Sequence, residues 1–413
     1  MWCMMGIREH TRMLAGLCVI LIVVSALFVW YFFFNQPSYL TKSFLWKQTN
    51  VYGLDNFGTA TYKDGVLYAP SKGDNKVYAL NANDGTIIWT SQVRQCDGSP
   101  YIDTAVIYVG ECSEPDGTHI TAPKAMALNR TSGQVVWAFT EPNDTEWVGS
   151  PVVNGEFIYY TTLGTGIYAL NKTNGNPIWQ QNIGKVVCSV AYDNGVVFVS
   201  ANDPPGQYAF NATTGETVWH QNYGSSWDSS PVIYQGRVIQ VAGNITRREV
   251  STYVLNETTG QLLTVFSQRG GQSTPLVHDD AIYIPSKNCQ IYAYNLLTGT
   301  ELWHTSQLTT NSPTYLSRPE LSYCSPALAD GTIYYQSLDG IFYAIDAATG
   351  KINWTCQLGN PPTVPYFGFG SPSIGGGRVY ITNDAALYAF EIGSMNTEWP
   401  MFCNNNLHQS SVD

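Results

Sequence analysis

Charge is what this 413-residue chain has least of. Asp, Glu, Lys and Arg together make up 12% of it, about half the usual globular share. That shortage excludes a disordered chain, a coiled coil and a charged helical bundle, all of which need more charge and fewer aromatics. Basic residues are the scarcer sign: 20 Lys and Arg against 31 Asp and Glu leave a net charge of −11 and a pI near 4.9. No basic stripe is available to displace counterions from phosphates, so nucleic acid is excluded as a partner. No two cysteines are adjacent, and there is no Cys-x-x-Cys-His, no P-loop, no His-Glu-x-x-His and no EF-hand loop. His119, His278 and His408 make no ligand-spaced cluster, and His220 and His304 sit where surface residues belong. What the chain does have is 44% hydrophobic residues, including 27 Tyr and 12 Trp. With Asn, Thr, Ser and Gly as the polar remainder, this is the profile of a large β-rich domain.

One long apolar run stands apart. Met13 to Phe34 carries no charge, and at helical rise it spans ~33 Å, enough for a bilayer core. Arg8 and Arg12 precede it, which predicts a cytoplasmic N-terminus and an exterior location for everything after it. Trp30, Tyr31 and three Phe crowd its outer end as an interfacial belt. A cleaved signal peptide is the alternative, but the run is long for one and lacks a good small-x-small exit. The expected organisation is therefore a cytoplasmic terminus over 1–12, a membrane anchor over 13–34, a linker over 35–42, a repeat domain over 43–403 and a tail over 404–413.

The repeat is a twelve-residue frame that occurs eight times without a gap: Tyr78–Trp89, Met126–Trp137, Tyr168–Trp179, Tyr208–Trp219, Tyr253–Thr264, Tyr292–Trp303, Tyr343–Trp354 and Tyr388–Trp399. An alternating start, an Asn or Asp, a Gly and a final Trp predict strand, tight turn, strand. A second hairpin precedes each frame, as in SPVVNGEFIYY with its Asn154-Gly155 turn. Each unit is then four antiparallel strands, A to D, or one propeller blade. Eight A-strand starts follow: Thr59, Ser99, Ser150, Ser189, Ser230, Thr274, Ser325 and Ser371. The fold expected is all-β, an eight-bladed propeller preceded by one transmembrane helix. The frame's Trp should dock between neighbouring blades, which assigns that role to Trp46, Trp89, Trp137, Trp179, Trp219, Trp303 and Trp354. Thr264 breaks the rule, so blade 5 should be the weakest joint. Trp46 precedes the first blade and predicts a closing strand for the last one. The last frame has Met395 in place of the turn Gly and Pro400 after its Trp, so its hairpin should open and release Trp399 to the tail. The competing reading keeps Trp399 as the outer strand.

The A-x-[DN]-x-x-x-G-x-x-x-W core, clearest from Ala344 to Trp354, resembles the tryptophan-docking repeat of the PQQ-like propellers. That superfamily holds the pyrroloquinoline quinone alcohol dehydrogenases and the propeller lipoprotein of outer-membrane protein assembly. The resemblance covers residues 43–403 and implies a fold, because the matching residues are turn and packing residues. It does not carry the dehydrogenase chemistry over. Those enzymes pair a vicinal disulfide with the quinone, and their calcium ligands lie outside the repeat motif.

Length varies only in the B–C and D–A connections, which share one face of a propeller. The long ones are Glu111–Lys124, Gly243–Ser251, His304–Cys324 and Thr355–Gly370, and elaborated loops on a rigid scaffold are where binding concentrates. Trp147 and Trp227 enter that face near the axis, with Tyr323, Phe367 and Phe369 in related connections. Together they predict an aromatic funnel able to stack a quinone or a sugar ring, or else a packed plug of the channel mouth. Asp228, beside Trp227, is a candidate general base or a turn acceptor. Seven cysteines follow the anchor, an odd number. Cys96 and Cys112 flank one hairpin symmetrically and predict a disulfide; Cys289 with Cys324 is a second, weaker pairing. Seven N-x-[ST] sequons occur, four of them at the repeat's turn Asn (Asn129, Asn171, Asn211 and Asn256), where turn chemistry explains them without glycans.

The function expected is a non-catalytic binding or scaffold propeller, anchored in the membrane, with a protein or glycan partner on the B–C and D–A face and no cofactor. The short-turn face would look at the membrane. The alternatives are a PQQ- and Ca²⁺-dependent oxidoreductase and an assembly or quality-control factor for exported proteins.

Overall fold

A computed structural model describes residues 40–49, 58–71, 73–94, 98–111, 124–141, 149–226, 228–244, 249–308, 324–337, 339–359, 370–383, 386–393, 397–399 and 411–412. Thr41–Asp413 forms one compact unit; of the other, Met1–Leu40, only Leu40 is described. The expected anchor over 13–34 lies outside the described residues, among which no helix is long and apolar enough to cross a membrane.

Each frame forms strands C and D. In blade 1 these are Lys76–Asn81 and Ile87–Gln92. The Asn81 side chain accepts the Asn83 N–H at 2.9 Å, and the Gly85 N–H returns to the Asn81 carbonyl at 2.8 Å. Gly85 sits at φ +73°, where an L side chain is strained. Asn129, Asn171, Asn211 and Asn256 fold their amides onto the following backbone in the same way. Strands A to D pair antiparallel in sequence order, as Val152–Asn154, Phe157–Thr161, Gly166–Asn171 and Pro177–Asn182 do in blade 3. The eighth blade takes its outer strand from the other end of the chain. Trp46–Gln48 pairs with Ala386–Glu391, and Trp46 stands opposite Ala389 as Trp89 stands opposite Ala79. Trp46 is thus the closing strand.

Two rings of contacts hold the blades together. At the inner ring, the eight A-strand starts are joined head to tail. The Thr59 N–H donates to the Ser99 hydroxyl at 2.8 Å, Ser99 to Ser150 at 2.9 Å, Ser150 to Ser189 at 2.8 Å and Ser189 to Ser230 at 3.0 Å. The chain continues through Thr274, Ser325 and Ser371, each link at 2.9 Å, and Ser371 closes it on the Thr59 hydroxyl at 3.1 Å. All eight residues are buried, so each amide needs this partner or incurs its full desolvation penalty.

At the outer ring, each Trp lies on the turn Gly of the next blade. A Cβ on Gly85, Gly133, Gly175, Gly215, Gly260 or Gly350 would fall within 2.4–2.8 Å of the indole of Trp46, Trp89, Trp137, Trp179, Trp219 or Trp303 respectively. Each of these indoles also donates its N–H to a backbone carbonyl of that turn, at 2.7–3.2 Å. Two joints depart. The last frame has no turn Gly in its sequence, Met395 taking that place, and the Trp354 ring stacks on Phe390, centroids 5.6 Å apart. Thr264 leaves Gly299 with nothing within 4 Å of a Cβ built on it. That open space makes Thr264→Trp a stabilising change at the joint of blades 5 and 6. Area burial predicts a gain of about 1–2 kcal/mol, read as a raised urea midpoint; an unchanged or lowered midpoint would show that the joint does not seat the indole.

The tail leaves blade 8. Thr397–Trp399 pairs with Leu328 and Ala329 on strand A of blade 7, and Ser411–Val412 runs parallel to Ile233 and Tyr234 on strand A of blade 5. Strand A is the innermost of each blade, so both segments lie in the axial channel. Trp399 is not an outer strand.

Candidate functional site

A concavity opens between blades 4 and 5, on the face of the B–C and D–A connections. It exists because two hairpins outgrow their neighbours. In blade 4, strands B and C are Val196–Asn202 and Pro205–Asn211; in blade 5 they are Arg237–Asn244 and Glu249–Asn256. Each climbs far enough to pair with a D–A connection. The Lys185 N–H reaches the Asp203 carbonyl at 3.0 Å and the Asn202 N–H the Lys185 carbonyl at 2.7 Å. Ser225 and Gly243 exchange both backbone bonds, at 3.1 and 3.0 Å. Gly224 permits this crossing: a Cβ there would lie 2.7 Å from the Gly243 Cα. The floor of the groove is therefore hydrogen-bonded backbone.

The groove encloses about 750 Å³. Tyr223 and Tyr253 form one wall, their rings stacked with centroids 5.0 Å apart. Asp203 and Glu249 stand exposed at the rim, with the half-buried Lys185. Asn202 lies deep, 7% exposed. Its backbone carbonyl accepts the Ser225 hydroxyl at 2.9 Å, but neither its amide oxygen nor its amide nitrogen has a hydrogen-bond partner.

Of the residues singled out in the sequence, Trp147, Trp227, Tyr323, Phe367 and Phe369 lie outside the described residues, as do Cys96 and Cys112. Asp228 is described and half-buried in the turn before Ser230, close to Cys188. Burial above all, with the Asp228 carboxylate adding to it, pushes the Cys188 thiol up to about 12. Burial does the same for Cys324. Cys324 is a free thiol that accepts the Gln336 N–H at 3.4 Å, so the Cys289–Cys324 pairing is wrong: Cys324 occupies the tight position before a ring serine, inside its own blade. Among the described residues no group of three or more His, Cys, Asp and Glu is placed to hold a metal ion. Sequence reasoning named the blade 5 loop of this groove but missed Asn202, Tyr223 and Tyr253. The available signal was Asp203-Pro-Pro-Gly206, which pinches a long hairpin into a tight tip.

Four-stranded blades, a Trp-on-Gly outer ring and a closed inner ring define a PQQ-like β-propeller. The sequence profile of the family described as outer membrane protein assembly factor BamB matches residues 41–186, 122–250, 164–318 and 249–400, and the chain belongs to that family. It is 26% identical to the tetrathionate hydrolase of Acidithiobacillus ferrooxidans, over 84% of this chain and 75% of that one. It is 24% identical to BamB of Escherichia coli, over 75% and 80%. A quinohemoprotein alcohol dehydrogenase of Pseudomonas putida is 33% identical, but over only 29% of this chain and 17% of its own length. The crystal structure of BamB from Moraxella catarrhalis superposes with a TM-score of 0.64, at 18% identity, over 82% of this chain and 95% of that one. That likeness is one of fold.

Proposed function

We propose that this chain is a non-catalytic binding propeller, held to a membrane through Met13–Phe34, which engages its partner on the face of the B–C and D–A connections. The observation that carries the reading is the pair of tail segments on the inner strands of blades 5 and 7. They pair with the ends of the A strands next to the A–B turns, at the short-turn end of the channel, and they leave the loop face as the open surface. The described residues also fit a quinone poorly: no two cysteines are adjacent anywhere in the chain, and no described acid cluster suits calcium. The likeness to BamB, an assembly factor by its name, supports a protein partner for this face.

The test uses the full chain in detergent. Supplied with PQQ and Ca²⁺, it should oxidise no alcohol or sugar in a dye-linked assay, and supplied with tetrathionate it should release no product. Turnover in either assay overturns the non-catalytic reading. A photo-crosslinker at Glu249 should capture a partner in cells, while one at Asp84, on the opposite face, should not. Capture from Asp84 alone would reverse the assignment of the face.

A further inference from the structure

We propose that the joint between blades 5 and 6, where the docking Trp is missing, is a slot for a tryptophan side chain presented by a partner polypeptide. The inference goes beyond the reading of the loop face, because this site lies on the outer wall near the C–D turns. Its chemistry is set by the six joints in which an indole from one blade lies on the turn Gly of the next. There the indole N–H bonds the carbonyl of the residue after the turn Asn or Asp: Ala82, Arg130, Lys172, Ala212, Glu257 or Ala347. Leu296 is their counterpart in blade 6, and among the described residues no donor is bonded to its carbonyl. The blades have not closed over the vacancy. Thr264 stands where the indole would start, and nothing lies within 4 Å of a Cβ built on Gly299.

The rim of the slot differs from its counterparts. At the joint of blades 1 and 2, Ile88 and Thr131 stand with Trp89 around one small hollow. The same frame positions at blades 5 and 6 are Leu263 and Leu297, 51% and 50% exposed. No other frame has a large aliphatic residue at the position of Leu297, which is Asn, Thr, Ala or Gly elsewhere. Two exposed leucines beside an unfilled indole slot make a small apolar pocket, and an aromatic anchor in such a pocket is the usual centre of a protein interface. The flank fits a polypeptide better than a free indole. Strand D of blade 5, Leu262–Phe266, ends its sheet with an edge that no described strand covers. The N–H and C=O groups of such an edge accept another strand. Blade 7 shows that an extended segment pairs at this place: Leu40–Thr41 lies on Ile352–Gln357, and the Lys42 N–H meets the Thr355 carbonyl at 3.0 Å. Trp46 shows that the indole of a joint need not come from the blade's own hairpin.

Saturation-transfer NMR on the full chain in detergent tests the proposal, with the uncharged peptide acetyl-Thr-Thr-Trp-Thr-Thr-amide as the probe at millimolar concentration. Its indole protons should receive saturation. The same peptide with Leu at its centre should bind about tenfold more weakly or not at all, and methylation of the indole nitrogen should weaken binding about threefold to tenfold by removing the bond to Leu296. Thr264→Trp fills the slot from within, so it should abolish binding while its raised urea midpoint shows the built-in ring seated. If that midpoint does not rise, Leu297→Asp decides; it alters an exposed side chain and should weaken binding about tenfold. Silence from the peptide overturns the proposal, as does binding undiminished in Leu297→Asp or in a Thr264→Trp chain with a raised midpoint. N-acetyltryptophanamide binding as tightly as the peptide would overturn the assignment to a polypeptide. A dimer of the full chain that Thr264→Trp dissolves would give the slot to a second copy and overturn the assignment to a foreign partner.

Discussion

Gly149→Ala should destabilise the propeller by about 3 kcal/mol or more, because the inner ring has no room at that position. A Cβ there would lie 2.0 Å from the Thr161 Oγ1 and 2.8 Å from the Cys188 carbonyl oxygen. Both are fixed. The Thr161 hydroxyl donates to that same carbonyl at 2.7 Å, and the next residue, Ser150, donates its N–H to the Ser189 hydroxyl at 2.8 Å. An added methyl must break the first bond, stretch the second or both, and each leaves a buried polar group unpaired at about 1–3 kcal/mol. Overpacking strain of about 1–3 kcal/mol adds to this. Gly155→Ala is the control. Gly155 sits at φ +57° in an A–B turn with nothing within 4 Å of a Cβ, so only its backbone conformation is penalised, by about 1 kcal/mol. Urea unfolding of the full chain should rank the two variants in that order. Adding Thr161→Ala to Gly149→Ala should recover part of the loss, since it removes the nearest clash. Equal midpoints for Gly149→Ala and Gly155→Ala would show that the ring yields more easily than its geometry implies.

That ring marks how far the sequence could be followed. The eight A-strand starts were legible one by one, because each Ser or Thr opens a hairpin with its own turn signal. Their bonding to one another was not, since a hydroxyl that meets an amide some forty residues away leaves no local pattern. The outer ring was legible down to its exception: the Trp and the Gly share one frame, and Thr264 is a visible gap in it. Trp46 could be placed as the closing strand because a lone outer-strand signature has only one vacancy to fill. The groove was hidden for the opposite reason. Its walls come from two hairpins and two connections in different blades, brought together by backbone bridges that any residue can make. Asn202 gives no sign of being unpaired until its neighbours are in place. Large aromatics in loops drew the sequence reading towards the axis, where the tail segments Thr397–Trp399 and Ser411–Val412 now lie.

Blade 5 should loosen as pH rises through neutrality, and Glu257→Lys should reverse that behaviour. On the short-turn face, the residue after the turn Asn meets the A–B turn of the preceding blade. At the joint of blades 1 and 2 this gives Arg130 on Asp64, at 2.8 Å; at blades 2 and 3 it gives Lys172 near Asp103, at 3.6 Å. At blades 4 and 5 it gives an acid on an acid, Glu257 beside Asp193. Burial first, then the Asp193 charge and a hydrogen bond shared with it, raise the Glu257 carboxyl to about 7. Its other neighbours do not relieve it. Trp219 donates its indole N–H to the Glu257 backbone carbonyl at 2.7 Å, and the Arg237 guanidinium is turned to the Gln235 carbonyl at 2.9 Å. The folded chain therefore holds a proton that the unfolded chain releases above the ordinary carboxyl value of 4.5. Stability must fall with pH from there to about 7 and stay low beyond it. Glu257 is only half-buried, so solvent screening reduces the effect to about 1–2 kcal/mol. Above neutrality blade 5 is then weakly held on both sides, by two carboxylates on one and by the missing Trp at Thr264 on the other. Hydrogen exchange should report this as amides of Arg237–Asn256 opening faster at pH 8 than at pH 5 once the intrinsic rates are divided out. Glu257→Gln should remove the difference. Glu257→Lys should restore the ion pair that the first two joints use, so that the melting point at pH 8 rises above that of the unaltered chain. A melting point that stays flat from pH 5 to pH 8 in the unaltered chain would show that the two carboxylates do not share their proton.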